Sequence, residues 1–275
     1  MFEPVKIAPS ILSANLINLE RDLALIEEAG ADMVHVDVMD GHFVPNLTFG
    51  VPLVKQLKRT TFLPLDVHLM IDNPLRELPW FLDAGADMVT VHIESLKNEE
   101  EARMAIETIH TAGARAALAV KPKTSIDSVL PYITALDMVL VMSVEPGFSG
   151  QSYIEGSECR TLEVATFARE HKCSPLIQLD GGIGSATVGR VTSAGADVVV
   201  CGNAVFGAPD PADAIAHIRE AGNAARIAAL GGTSDKTLIG VADETSSGVA
   251  GGASLCEANE AREVFAEAPI RASKA

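Results

Sequence analysis

The chain has 275 residues, 48% of them hydrophobic, which is enough for one large packed domain. Its formal net charge of −16 argues against a nucleic-acid partner, because phosphate backbones are held mainly by Lys and Arg, whereas backbone N–H groups can still hold a small anion locally. No apolar run reaches membrane-spanning length, the N-terminal residues show no basic-then-apolar signal pattern, and Cys159, Cys173, Cys201 and Cys256 form no C-x-x-C pair, so a reduced, cytoplasmic protein is expected.

In chain order, candidate strands fall near Ile7–Ser10, Met33–Met39, Pro64–Met70, Met88–Glu94, Ala116–Lys121, Met138–Ser143, Leu176–Asp180 and Asp197–Gly202. Helical stretches such as Leu19–Glu28, Glu99–Ala112 and Ala212–Ala221 lie between them. One phrase recurs: Ala29-Gly30-Ala31-Asp32-Met33-Val34 returns at Ala84–Val89 and Ala194–Val199, with weaker copies at Ala112–Arg115 and Ala135–Val139. Its glycine takes the left-handed position past a helix end, and the apolar run after it is the next strand. The glycines at 30, 85, 113 and 195 are 55, 28 and 82 residues apart, multiples of a unit of about 27 residues, the size of one strand, one helix and two short loops. Eight such units, with no Gly-x-Gly-x-x-Gly after the first strand, predict an α/β fold: a single (β/α)8 barrel over residues 1–230. Residues 231–275, rich in Gly, Ser and Ala, read as a disordered or loosely packed C-terminal extension, with Glu257–Ala268 as a candidate short helix.

In such a barrel the working residues sit at the C-terminal ends of the strands. Strand two carries His35, Asp37 and Met39 at two-residue spacing, and strand three Asp66, His68 and Met70, so each set projects from one face. Strand seven ends in Asp180-Gly181-Gly182, strand four in His92 and Glu94, strand one in Ser10. Each histidine alone is as readily a satisfied interior residue. Two histidines and two aspartates at one end of the barrel instead make a mixed N/O site for a divalent ion such as zinc, iron or manganese.

Glycines follow strands seven and eight, at Asp180-Gly181-Gly182-Ile183-Gly184 and Cys201-Gly202-Asn203-Ala204, where barrels often hold phosphate. The commoner meaning of Gly-Gly after a strand is a tight turn. A third loop, Glu145–Gln151, is glycine-rich and of a kind that closes over a ligand. A metal, a phosphate and two carboxylates fit proton transfer next to a carbonyl through an enediolate. If Asp37 and Asp180 face each other across a sugar phosphate, one removes a proton and the other returns one on the opposite side, inverting one carbon. One of them must start ionised and the other protonated.

Ala8–Ser13, the run from His35 to Asn46, Asp66–Met70, Met142–Phe148 and Asp180–Ile183 together resemble the ribulose-phosphate 3-epimerases, over about residues 4–222. The resemblance implies an isomerase that interconverts D-ribulose 5-phosphate and D-xylulose 5-phosphate in the pentose phosphate pathway. It implies one divalent ion (Zn, Fe, Mn or Co) on His35, Asp37, His68 and Asp180, with Asp37 and Asp180 as the acid/base pair. By position Ser10, His68, Met39, Met70 and Met142 contact the substrate, Gly147, Phe148, Ser149 and Gly150 cover it, and Gly181, Gly182, Gly202 and Asn203 hold its phosphate. For the methionines, ordinary packing by a soft side chain is the competing explanation. A homo-oligomer is the expected assembly, with no nucleic-acid or membrane partner. The chain departs from the family pattern at Asn203 (usually Ser), Ser149 (often Gly), Gln178 (often Glu) and Lys123 (often Gly). The nearest alternative is a 3-epimerase of D-allulose 6-phosphate. A silent sugar-phosphate sensor would lack a ligand or a carboxylate, and a metal-independent decarboxylase would carry a lysine where His35 and His68 stand.

Overall fold

Alternating positions of each strand answer to two different surroundings. In β2 (Val34–Met39) and β3 (Leu65–Met70), Val34, Val36, Val38, Leu65, Val67 and Leu69 join the large apolar core beneath the helices, while His35, Asp37, Asp66 and His68 point the other way, into the barrel. Both faces are buried, so the strands read as nearly continuous apolar runs, with the exceptions all on the inner face. The remaining strands are β1 (Lys6–Pro9), β4 (Met88–His92), β5 (Arg115–Val120), β6 (Met138–Met142), β7 (Leu176–Asp180) and β8 (Val198–Cys201), close to the predicted ranges. The computed structural model describes residues 3–234.

The eight strands form one sheet in the order β1-β8-β7-β6-β5-β4-β3-β2, every ladder parallel. Among the described residues a single parallel bridge, Ser10 to His35, links the two ends. The expected (β/α)8 barrel is therefore the observed one, and it closes at the residues singled out from the sequence. The helices are α1 (Leu19–Glu28), α2 (Val51–Thr60), α3 (Pro74–Asp83), α4 (Glu99–Thr111), α5 (Ser157–Glu170), α6 (Val188–Ser193), α7 (Asn203–Phe206) and α8 (Pro211–Ser234). Between β5 and β6 the crossover is made of short 3-10 turns, Ile126–Ser128 and Leu130–Ala135, the second with a proline in its first turn. The bottom of the barrel is filled by Ala8, Met88, Ala117, Met138, Val198 and Val200.

The recurring phrase has two structural meanings. Gly30, Gly85, Gly113 and Gly195 all have positive φ, as the helix-end reading requires. The aspartate of the phrase, two residues after Gly30, Gly85 and Gly195 and present as Asp137 in the copy without a glycine, does something the sequence did not reveal. Asp32, Asp87, Asp137 and Asp197 each accept the amide of a residue early in an odd-numbered strand: Ile7, Leu65, Ala116 and Ile177, at 2.8–3.0 Å. Each returns its own N–H to the carbonyl of that same residue. These reciprocal clamps tie the strands pairwise at the barrel floor, so the aspartate recurs once per two units. Asp87→Ala is expected to cost about 1–2 kcal/mol, since it leaves the Leu65 amide without its acceptor; a urea midpoint unchanged from wild type would show the clamp to be dispensable.

Helix α8 is longer than the predicted Ala212–Ala221 and runs past the boundary expected at residue 230. Gly222, just past the predicted stretch, marks a close approach. A Cβ there would lie 3.1 Å from Val188 and 3.3 Å from Thr192 of α6, and Thr192 donates its hydroxyl to the Gly222 carbonyl. The extension expected from 231, with its candidate helix Glu257–Ala268, lies from residue 235 onward outside the described residues. No helix among the described residues is long and apolar enough to cross a membrane.

Candidate active site

The register of β2 on β3 pairs His35 with Asp66 and Asp37 with His68, so four inward side chains form a square. Asp180 comes in from the end of β7, across the barrel. His35 Nε2 lies 3.3 Å from Asp37 Oδ1 and 3.9 Å from Asp180 Oδ2; His68 Nδ1 lies 3.1 Å and 3.9 Å from the same two atoms. One donor atom from each of His35, Asp37, His68 and Asp180 falls within 4.8 Å of all the others. The structure thus brings the four predicted ligands together. His35 Nε2 is fully buried and has no hydrogen-bond partner, an orphan aimed into this cluster. Two imidazole nitrogens and two carboxylate oxygens suit a first-row divalent ion, and the orphaned nitrogen is what such an ion would satisfy. This buried His/Asp group could bind a metal.

Behind the four lies a supporting layer. Asp66 Oδ2 is 2.8 Å from His35 Nδ1 and also accepts the Gln178 amide at 2.6 Å. A carboxylate only accepts, so His35 carries a proton on Nδ1 and turns Nε2 to the cluster. A glutamate at 178 would face Asp66 with a second carboxylate and need a shared proton; the glutamine supplies a donor instead. On the other side, His92 and Glu94 stand behind His68. Ser10 donates its hydroxyl to Asp37 Oδ2 at 2.6 Å.

The two carboxyl groups are driven apart. Burial opposes ionisation of Asp37, but the charge of His35, joined by His68, outweighs it and holds this carboxyl far below the ordinary range. Asp180 lies farther from both histidines, at 3.9 Å. Burial, then repulsion by Asp37, push it up to about 6. His35 is raised well above its ordinary value, because Asp37 and Asp66 together overcome the cost of burying its charge. The environment therefore drives the two acidities apart: Asp37 stays ionised, and Asp180 is the carboxyl that takes up a proton first.

Asp37 and Asp180 open onto a cavity of about 260 Å³. Ser10, Met39, Met70 and Met142 line it close to the carboxylates. The loop Gly147, Phe148, Ser149 and Gly150 forms one wall, and Gly181, Gly182, Gly202 and Asn203 another. His35 and His68 are fully buried behind this surface. Every residue predicted to touch substrate lines the cavity except His68, which reaches it through Asp37. The covering loop is tethered on both flanks. Asn46 donates its amide to the Gly147 carbonyl at 2.8 Å, and Ser13 and Ser149 share a hydrogen bond at 2.5 Å. Gln151 donates to the carbonyls of Glu145 and Phe148, folding the loop on itself.

Residues 6–206 match the Ribulose-phosphate 3 epimerase family. The chain is 44% identical over 221 residues to the ribulose-phosphate 3-epimerase of Mycobacterium tuberculosis, an alignment that covers 80% of this chain and 94% of the relative. The chain belongs to the ribulose-phosphate 3-epimerase family. It is 42% identical to the Bacillus subtilis ribulose-phosphate 3-epimerase over 216 residues (78% of this chain, 98% of the relative) and to the chloroplastic enzyme of Arabidopsis thaliana over 222 (81% and 79%). Among solved structures, 3-hexulose-6-phosphate synthase from Salmonella typhimurium superposes with a TM-score of 0.59 at 21% identity, covering 79% of this chain and 98% of that one, a likeness of fold alone.

This epimerase departs from its family's pattern without losing a carboxylate or a histidine of the cluster. Ser149 meets Ser13, Gln178 supports Asp66, and Lys123 makes an exposed ion pair with Glu145 at 3.5 Å, worth little in solvent. Asn203 opens α7 and packs its side chain against Gly207. Sequence reasoning noted Asp66, His92 and Glu94 on their strands but gave them no task, and read Gln178 only as a departure. Their signal was present in the same two-residue spacing that singled out His35 and Asp37.

Proposed function

We propose that this epimerase inverts carbon 3 of a ketose phosphate, interconverting D-ribulose 5-phosphate and D-xylulose 5-phosphate, with one divalent ion held by His35, Asp37, His68 and Asp180. The observation that carries the reading is the pair Asp37 and Asp180 on one cavity, the first held ionised and the second drawn up to about 6. When bound, the ion would supply Lewis acidity toward the substrate's carbonyl and neighbouring hydroxyl, lowering the cost of the charge that develops there. Asp37 takes the proton of the reacting carbon from one side, and protonated Asp180 delivers one from the other. The Ser10 hydroxyl orients Asp37 through its 2.6 Å hydrogen bond. Met39, Met70 and Met142 keep water from the reacting carbon, and the backbone N–H groups at Gly181, Gly182, Gly202 and Asn203 hold the phosphate.

A coupled assay on both sugar phosphates tests the substrate. A larger kcat/KM on D-allulose 6-phosphate than on D-ribulose 5-phosphate would replace the five-carbon reading with the six-carbon one. Chelation is expected to abolish turnover, and a divalent ion to restore it; activity that survives chelation would remove the ion from the mechanism.

Metal affinity should also depend on pH in a stated direction. His35, raised above its ordinary value, must give up a proton before its Nε2 lone pair can face an ion. Affinity therefore falls as pH drops and His35 takes that proton up. Asp37, held ionised, adds no slope, and Asp180 can offer one carboxyl oxygen while the other keeps its proton. Calorimetry between pH 5 and 8 should show proton release on binding; a dissociation constant flat over that range would contradict the assignment.

A further inference from the structure

His68 turns Nδ1 toward the ligand cluster, the reverse of His35, which turns Nε2. The reason lies behind it. His68 Nε2 is 2.8 Å from His92 Nε2, and two imidazole nitrogens can share a hydrogen bond only if one carries the proton and the other the lone pair. The choice is made one step further out. His92 Nδ1 is 3.1 Å from Glu94 Oε2, an oxygen that only accepts, so His92 is protonated on Nδ1 and presents a lone pair on Nε2. The proton between the rings then belongs to His68 Nε2. Glu94 is fixed in turn, because its Oε1 accepts the backbone N–H of Lys121 at 2.7 Å. His92 has no freedom to rotate away: it is fully buried and lies between the rings of His68 and Phe43, with centroids 5.0 and 4.8 Å away.

We propose that His92 and Glu94 are positioning residues that keep the proton of His68 on Nε2 and so hold its Nδ1 lone pair toward the divalent ion. The proposal rests on the metal reading above. With the relay reversed, an N–H would point where the ion needs a lone pair.

Glu94→Gln tests it. A glutamine offers one carbonyl oxygen to two donors, the Lys121 N–H and the His92 Nδ1–H, and whenever its amide group faces His92 both rings must exchange tautomers. Zn²⁺ affinity, measured by chelator competition, is expected to fall roughly 10- to 100-fold. Long-range ¹H–¹⁵N spectra of the wild type should show a proton on His68 Nε2 with and without Zn²⁺, and that signal should weaken or move in the variant. Wild-type binding of Zn²⁺ with Glu94→Gln affinity within twofold would overturn the relay and leave the metal reading standing. A wild type that binds no Zn²⁺ overturns both. A wild-type His68 without a proton on Nε2 overturns the relay whether or not the variant folds.

Discussion

Asp180→Asn is expected to lower kcat by roughly three to four orders of magnitude, the upper range for loss of a general acid/base. Asparagine keeps the shape but cannot carry the proton, and among the described residues no other acidic side chain lines the cavity beside Asp37. The loss should not come from unfolding. A carboxyl whose folded value is about 6 against an ordinary 3.8 is better tolerated protonated, so the stability it contributes is lost as pH rises from about 4 through about 6. A neutral amide escapes that loss, and at pH 8 the metal-free variant should melt no lower than the metal-free wild type. Asp37→Asn should be at least as damaging, since it disturbs the acceptor of the Ser10 hydroxyl and a candidate metal ligand as well as removing the ionised carboxylate. The two variants separate the half-reactions. With Asp180 gone, Asp37 can still exchange the reacting proton of one epimer with deuterated solvent while net inversion stops. Metal content measured alongside tells loss of a ligand from loss of a proton carrier. Turnover within tenfold of wild type in either variant would sink the two-carboxylate mechanism.

Gly182→Ala is the second large effect. Gly182 has φ +64°, and a Cβ there would sit 2.7 Å from the Tyr153 Cα and closer still to its amide nitrogen. The left-handed conformation costs a non-glycine residue about 1–2 kcal/mol and forced overpacking about 1–3 more, so roughly 2–5 kcal/mol in all. The clash is with backbone, which cannot swing aside as a side chain can. The segment it pushes, Ser152–Tyr153, follows directly on the loop that walls the cavity. KM should therefore rise at least about tenfold as that wall shifts. Gly30→Ala is the control. Its φ is +77°, but nothing lies within 4 Å of the added carbon, so it should carry only the conformational cost and leave KM unchanged. Equal effects of the two substitutions on KM would mean that the approach of Gly182 to Tyr153 does not position the loop.

Two-residue spacing on a strand is local geometry, and it placed His35 with Asp37 and Asp66 with His68 on shared faces before any fold was known. Helix-end glycines before apolar runs likewise revealed the unit length, and eight units imply a barrel because parallel strands need crossovers and a closed sheet has no edge to hide. Those features depend on neighbours along the chain, so the sequence by itself determined them. What the chain brings together from far apart it could not show. Gln178 reaches Asp66 across 112 residues. The clamp aspartates work on strands 20–25 residues away, and the close approach of Gly222 to α6 has no local signature. Above all, Asp37 and Asp180 are the same residue type with the same intrinsic acidity. Only the tertiary structure decides that one is flanked by two histidines and a serine while the other is buried beside a negative charge, and that difference assigns the proton.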